Sequence, residues 1–179
     1  PYLDGAVIEI TPDAAARLAV LRAGKAELPH IWGWISPEES RSLKQTNPEM
    51  SVTPYQVIGQ GFIYMRTDRA PFNDVRVRRA VALALDRNGW NDALLFGEGC
   101  VDAGPVPCAL KDWKLDASKL DPAKAKYLTG HDPAEAKRLL AEAGLAKGFT
   151  TPIFHWPGYV VPWRSYYDLA AENLGKVGI

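Results

Sequence analysis

The stretch that most constrains this chain runs over residues 70–87, reading A-P-F-N-D-V-R-V-R-R-A-V-A-L-A-L-D-R. Its first four residues read as a turn, because Pro71 has a fixed φ and drives Ala70 toward an extended backbone. Asp74 is a good N-cap: its carboxylate accepts from N–H groups that a helix start leaves open. Val77, Val81, Ala84 and Leu85 then recur at helical spacing, which predicts a helix with one face against a core. Asp74 and Arg78 stand four apart, a pairing worth about 0.2–0.5 kcal/mol on a helix surface. Taken singly, these residues make a capped amphipathic helix and carry no chemistry.

Composition narrows what surrounds that helix. A chain of 179 residues suffices for one good core or for parts of two lobes. Lys+Arg and Asp+Glu each number 21, so the formal net charge is zero. Neither nucleic acid nor an anionic membrane is therefore an expected partner. Apolar residues make up 47% and charged residues 23%, the balance of a soluble globular protein. No apolar run reaches the roughly 18 residues of a membrane span. The chain opens at Pro1-Tyr2-Leu3 without an initiator Met, a basic n-region or a secretory h-region, and stops at Gly178-Ile179. It reads as a piece of a longer protein, so the missing leader carries no information on compartment. The two cysteines, Cys100 and Cys108, leave two readings open: a small disulfide loop in an oxidising compartment, or two free thiols. With only three scattered histidines, C-x7-C is not a zinc pattern.

In chain order, residues 6–10 read as a short strand, followed by a helix capped by Thr11 with Pro12 at its first position. Ala14, Leu18 and Leu21 form that helix's buried stripe, Gly24 ends it, and residues 26–28 return as a strand, giving a β-α-β unit. Trp32 and Trp34 pack under a loop in the simpler of two readings, the other being a ligand surface. Ser36 and Glu39 form a capping box whose helix ends by Asn47-Pro48. Residues 52–58 and 62–65 read as strands joined through Gly59-Gln60-Gly61. Residues 91–96 make a short helix closed by Gly97, residues 99–113 an irregular loop, and residues 115–130 a polar, solvated connection. Asp132 caps a further helix, Pro133 starts it and Glu135 completes a capping box. Ala136, Leu139, Leu140 and Ala143 form its buried face, and Gly144 terminates it. Residues 149–154 are expected as a strand, and a last helix carries Tyr167, Ala170, Leu174 and Val177 at helical spacing.

Read together, P-F-x-D-x-R-V-R-x-A-x-x-x-A-x-D-R is carried by Pro71, Phe72, Asp74, Arg76, Val77, Arg78, Ala80, Ala84, Asp86 and Arg87. It resembles the signature of family 5 extracellular solute-binding proteins, which include the dipeptide- and oligopeptide-binding proteins of bacterial ABC importers. D-P-x-x-A-K-x-L-L-x-E-A-G at residues 132–144 resembles the family's second signature. Residues 105–108, P-V-P-C, resemble a proline-rich family loop with Cys108 in place of its second proline. Arg66 stands where family members commonly have Asn. The resemblance runs from end to end and implies an α/β fragment of the periplasmic-binding-protein-like type (type II, cluster C), mainly lobe II with the end of lobe I. Residues 1–54 would close lobe I and approach the hinge. Residues 55–179 would hold the hinge strands and most of lobe II, with Gly59 and Gly61 as hinge residues.

Catalysis finds little support. No G-x-S-x-G, H-E-x-x-H or G-x-x-x-x-G-K-[ST] occurs. Cys108, His155 and Asp168 make a nucleophile, base and orienter only on paper. No catalytic residue, metal or cofactor is expected. Binding is better supported, because His155, Trp156, Tyr159, Trp163 and Arg164 cluster directly after a strand. Ligands of open α/β sheets bind beyond the carboxyl ends of strands. Aromatics there offer area at low entropy cost, and Arg164 suits an anionic group. Packing of these aromatics onto the lobe is the competing reading. Tyr55, Phe62 and Tyr64 are candidates from the hinge side. In the dipeptide-binding relatives a basic residue of this loop meets the peptide carboxylate, whereas this chain has Tyr159-Val160-Val161 there and Arg164 a few residues later. The resemblance thus implies a monomeric fragment of an importer's substrate-binding component, periplasmic or extracellular and lipid-anchored in some full-length forms. Its partners would be a small solute, with peptides leading, and a membrane permease. A sensory module of a regulatory protein is the alternative.

Overall fold

The computed structural model describes residues 2–29, 35–56, 61–101, 104–155 and 163–179, and the side chains of Trp163 and Arg164 fall outside that set. The chain divides into two compact units, Pro1–Pro54 and Tyr55–Ile179.

In the first unit α1 spans Ala14–Arg22 and α2 spans Pro37–Thr46. The cap of α1 is Asp13, not Thr11: its Oδ1 accepts the Ala16 N–H at 2.8 Å. A carboxylate caps better than a threonine hydroxyl, so the helix starts two residues later and Pro12 precedes it. Of the expected stripe only Leu21 is buried, while Leu18 is half-buried and Ala14 exposed. Gly24 ends the helix at φ +62°, where a side chain would be strained. The capping box of α2 forms as expected, with Ser36 and Glu39 each accepting the other's backbone N–H. Two polar ties join the helices, Arg22 Nη2 to Ser42 Oγ at 2.8 Å and Asn47 Nδ2 to the Arg22 carbonyl at 3.1 Å. Trp32 and Trp34 lie outside the described residues.

The expected strands carry no ladder among the described residues: 6–10, 26–28, 62–65, 149–154 and the described part of 52–58 pair with no other strand, and residues 57–58 lie outside the described residues. The β-α-β unit is therefore a helix with unpaired flanks, and Val7, Ile8 and Ile10 are exposed. Apolar patterning says what a strand is made of, but ladder bonds need a second strand that the pattern does not name.

The second unit is built from α3 (Val75–Ala84), α4 (Arg87–Leu95), α5 (Pro122–Thr129), α6 (Pro133–Glu142) and α7 (Trp163–Gly175). Helices α3 and α6 run antiparallel and are tied at both ends. Arg76 Nη1 donates to the Glu142 carbonyl at 2.6 Å, and the Asp132 N–H donates to the Leu83 carbonyl at 2.9 Å. Between these ties Val77, Ala80, Leu83, Ala136 and Leu140 are almost wholly buried. Each fully buried large side chain contributes about 1.5–3 kcal/mol relative to exposure. Ala170, Leu174 and Val177 of the last helix region complete the core, and Phe72 meets Phe149 edge-on at 5.8 Å.

Four local expectations change here. Asp74 caps α3, but its ion pair is with Arg76 at 2.6 Å rather than Arg78. Arg78 instead turns back to the carbonyls of Phe72 and Asn73, at 2.7 and 3.1 Å, and closes the turn that holds the cis Ala70-Pro71 peptide. The helix expected to include Leu85 stops at Ala84; Leu85 is extended, and Asp86 accepts the Gly89 N–H at 2.9 Å, so the short helix expected over 91–96 begins already at Arg87. Glu135 does not close a capping box, because the Asp132 N–H already donates to Leu83 and the Glu135 carboxylate is held by Arg138 and Lys126. Finally, the stretch expected to be a solvated connection contains a 3-10 turn, Ala117–Lys119, and α5. Its start, Asp121-Pro122, is the same cap-and-proline pair as Asp132-Pro133, and Tyr127 packs against the core.

Candidate functional site

The candidate binding residues belong to the second unit, and the described ones gather around α7. His155 stacks on Tyr167 of α7, with ring centroids 4.7 Å apart and planes 23° from parallel. One residue earlier, Tyr166 meets Trp90 of α4 edge-on at 6.2 Å. Partial burial raises the Tyr166 phenol above its ordinary value. The segment leading to His155 is seated at its other end: the Phe149 N–H donates to the Gly178 carbonyl at 2.9 Å. Gly148 is required there, because its φ is +75° and a Cβ would come within 2.0 Å of the Gly178 oxygen.

A buried polar residue that sequence reading missed fixes α7. Asn173 is only 6% exposed, and its Oδ1 accepts from the Asp86 N–H at 2.8 Å and from Trp90 Nε1 at 3.0 Å. The sequence carries one signal for it: an amide next to Leu174, inside the apolar spacing of the last helix.

Of the other candidates, Trp156 and Tyr159 lie outside the described residues, and Trp163 and Arg164 are placed by backbone only, at the start of α7. Tyr55 and Phe62 are exposed, and the Phe62 ring is 5.5 Å from Tyr64 on the same segment. Gly61 is exposed, and Gly59 lies outside the described residues.

A separate groove of about 430 Å³ lies where α6 and α7 end, lined by Lys137, Lys147, Lys176, Gly148 and Gly178 among others. Helix C-termini carry partial negative charge, so lysines there offset the dipoles, and Lys176 also pairs with Glu172 at 2.6 Å. That cleft contains none of the predicted binding residues.

Cys100 and Cys108 form a disulfide with Cα atoms 6.4 Å apart, which resolves the two readings left open by their spacing. Cys108 therefore has no thiolate to offer, and the nucleophile–base–orienter trio with His155 and Asp168 is dissolved. Among the described residues no cluster of His, Cys, Asp or Glu gathers as a metal site, and no helix is long and apolar enough to cross a membrane.

The model of the bacterial extracellular solute-binding proteins, family 5 Middle, matches residues 1–179. The chain belongs to this family. Family 5 membership implies a periplasmic-binding-protein-like fold. Among curated proteins the chain is similar to heme-binding protein A of Haemophilus influenzae, 32% identical over 156 residues, covering 87% of this chain and 26% of that protein. It is also similar to the dipeptide-binding protein of Escherichia coli, 26% identical over 182 residues, covering 100% of this chain and 32% of that protein. Di/tripeptide-binding protein 1 of Pseudomonas aeruginosa is 29% identical over 185 residues, covering 99% of this chain and 31% of that protein. The chain thus spans about a quarter to a third of the length of these relatives.

Proposed function

We propose that this chain is part of the substrate-binding component of an ABC importer, which captures a small solute between two lobes and delivers it to a membrane permease. The family match over residues 1–179 carries this reading. Peptides lead as the solute class, supported by the dipeptide- and di/tripeptide-binding relatives. Residues 1–54 would end lobe I, residues 55–179 would form the hinge strands and most of lobe II, and Gly59 and Gly61 would absorb the hinge rotation. Solute would meet His155, Trp156, Tyr159, Trp163 and Arg164, with Tyr55 and Phe62 on the hinge side. The Cys100–Cys108 disulfide suits the oxidising periplasm or cell exterior in which such a protein works, freely or on a lipid anchor.

Calorimetric titration of the full-length protein with dialanine, glutathione and haemin tests this reading. Binding of dialanine or glutathione that weakens on Trp156→Ala or Arg164→Ala is the expected result. Binding of haemin alone would displace peptides as the solute class, and binding of none of the three would count against the whole reading.

A further inference from the structure

We propose that Asn173 is a positioning residue, whose two hydrogen bonds set the register of α7 against the α3–α4 corner and thereby place the Tyr167–His155 pair. Its importance for binding rests on the reading of His155 as part of the solute site.

The apolar face of α7 does not by itself specify that register. Ala170, Leu174 and Val177 are buried, and apolar burial is non-directional, so it fixes the helix less sharply than a hydrogen bond does. An amide oxygen that accepts two donors does not. The Asp86 N–H belongs to the residue that caps α4, so its position is fixed by the break between α3 and α4. The Trp90 Nε1–H comes from the first turn of α4. Both donors reach Asn173 Oδ1 in only one register, and any displacement leaves the buried Asn173 amide without its partners, which is unfavourable.

Trp90 extends this constraint along α7. Its indole N–H holds Asn173, while its ring meets Tyr166, two helical turns earlier on the same face. Tyr167 follows directly and carries His155 stacked on its ring. A connected path therefore runs from the α3–α4 corner through Trp90 and Asn173 to the first turns of α7 and on to His155. If packing were the only requirement, a leucine at position 173 would continue the apolar face; the buried amide supplies direction instead.

The test is hydrogen exchange of the solute-free full-length protein, comparing Asn173→Ala and Trp90→Phe with wild type. Trp90→Phe keeps the ring contact and removes one donor, so it remains informative should Asn173→Ala fail to fold. Exchange over residues 165–170 and 87–92 is expected to rise about tenfold in Asn173→Ala and less in Trp90→Phe, with residues 77–83 and 136–141 unchanged. Dialanine, glutathione and haemin are then titrated, and whichever the wild type binds should lose about tenfold in affinity in Asn173→Ala. Unchanged exchange over 165–170, a uniform rise across all four segments, or unchanged affinity for the bound probe despite faster exchange overturns the proposal. A wild type that binds no probe would instead defeat the solute reading, while exchange would still decide whether Asn173 sets the register of α7.

Discussion

Arg76 joins the two signatures. Its guanidinium holds the Asp74 carboxylate at 2.6 Å and, through the same side chain, the last carbonyl of α6. The hydrogen bonds from Arg76 pull Asp74 down to about 2, and those from Arg138 and Lys126 do the same for Glu135. Both carboxyls titrate near 4 in an unfolded chain, so the folded state favours their charged forms. Their contribution is complete above about pH 5 and is lost as pH falls through 4 toward 2. Asp74→Asn combined with Glu135→Gln keeps a capping side chain at 74 but removes both titrations. Denaturant unfolding of that variant between pH 2 and 6 is expected to give a flatter acid limb than wild type; an equally steep limb would place the acid sensitivity elsewhere. Sequence reading found Asp74 and Asp132 as caps, since a cap acts within three residues. It paired Asp74 with the wrong arginine, because Arg78 has an alternative among the turn carbonyls that spacing does not reveal.

At the scale of elements, the antiparallel α3–α6 pair is the part most open to a stability measurement. Leu140 is 1% exposed between the two ties. Leu140→Ala should lower the unfolding free energy by about 2–5 kcal/mol, through lost transfer energy and the cavity left behind. Denaturant titration measures it, and a loss near zero would mean that α3 and α6 do not form the core of this unit. The disulfide closes the loop between Cys100 and Cys108, which separate by eight positions. Its removal in Cys100→Ser, Cys108→Ser should cost roughly 2–3 kcal/mol by restoring freedom to the unfolded chain. Thiol titration of unfolded wild type without reductant should find neither cysteine free; two free thiols would contradict the pairing. α5 was missed because polar composition outweighed the Asp121-Pro122 start, although that start obeys the same capping rule that located α6.

At the scale of the whole molecule, the chain covers about a quarter to a third of the relatives it matches. The two-lobe site proposed above would draw its affinity from contacts on both sides of a cleft, so one side alone would forfeit most of it. The isolated 179-residue chain is therefore expected to bind dialanine or glutathione weakly or not at all. Calorimetry on that chain beside the full-length protein checks this, and equal affinity would place the whole site within these residues.

The residues by themselves determined the core faces of α3 and α6, most of the caps and the family. Each depends on neighbours within one or two turns, or on an ordered string of residues such as 70–87. Tertiary structure decided that α3 and α6 lie antiparallel with Arg76 and Asp132 at their ends, that Cys100 meets Cys108, and that Asn173 is buried as an acceptor. It also left the expected strands unpaired among the described residues. These outcomes share one physical cause: each needs a partner that sequence spacing does not name, whether a carbonyl, a thiol, a pair of donors or a second strand. The stretch at 70–87 therefore identified the family, while the route by which it reaches His155, through Trp90 and Asn173, became visible only once the chain was folded.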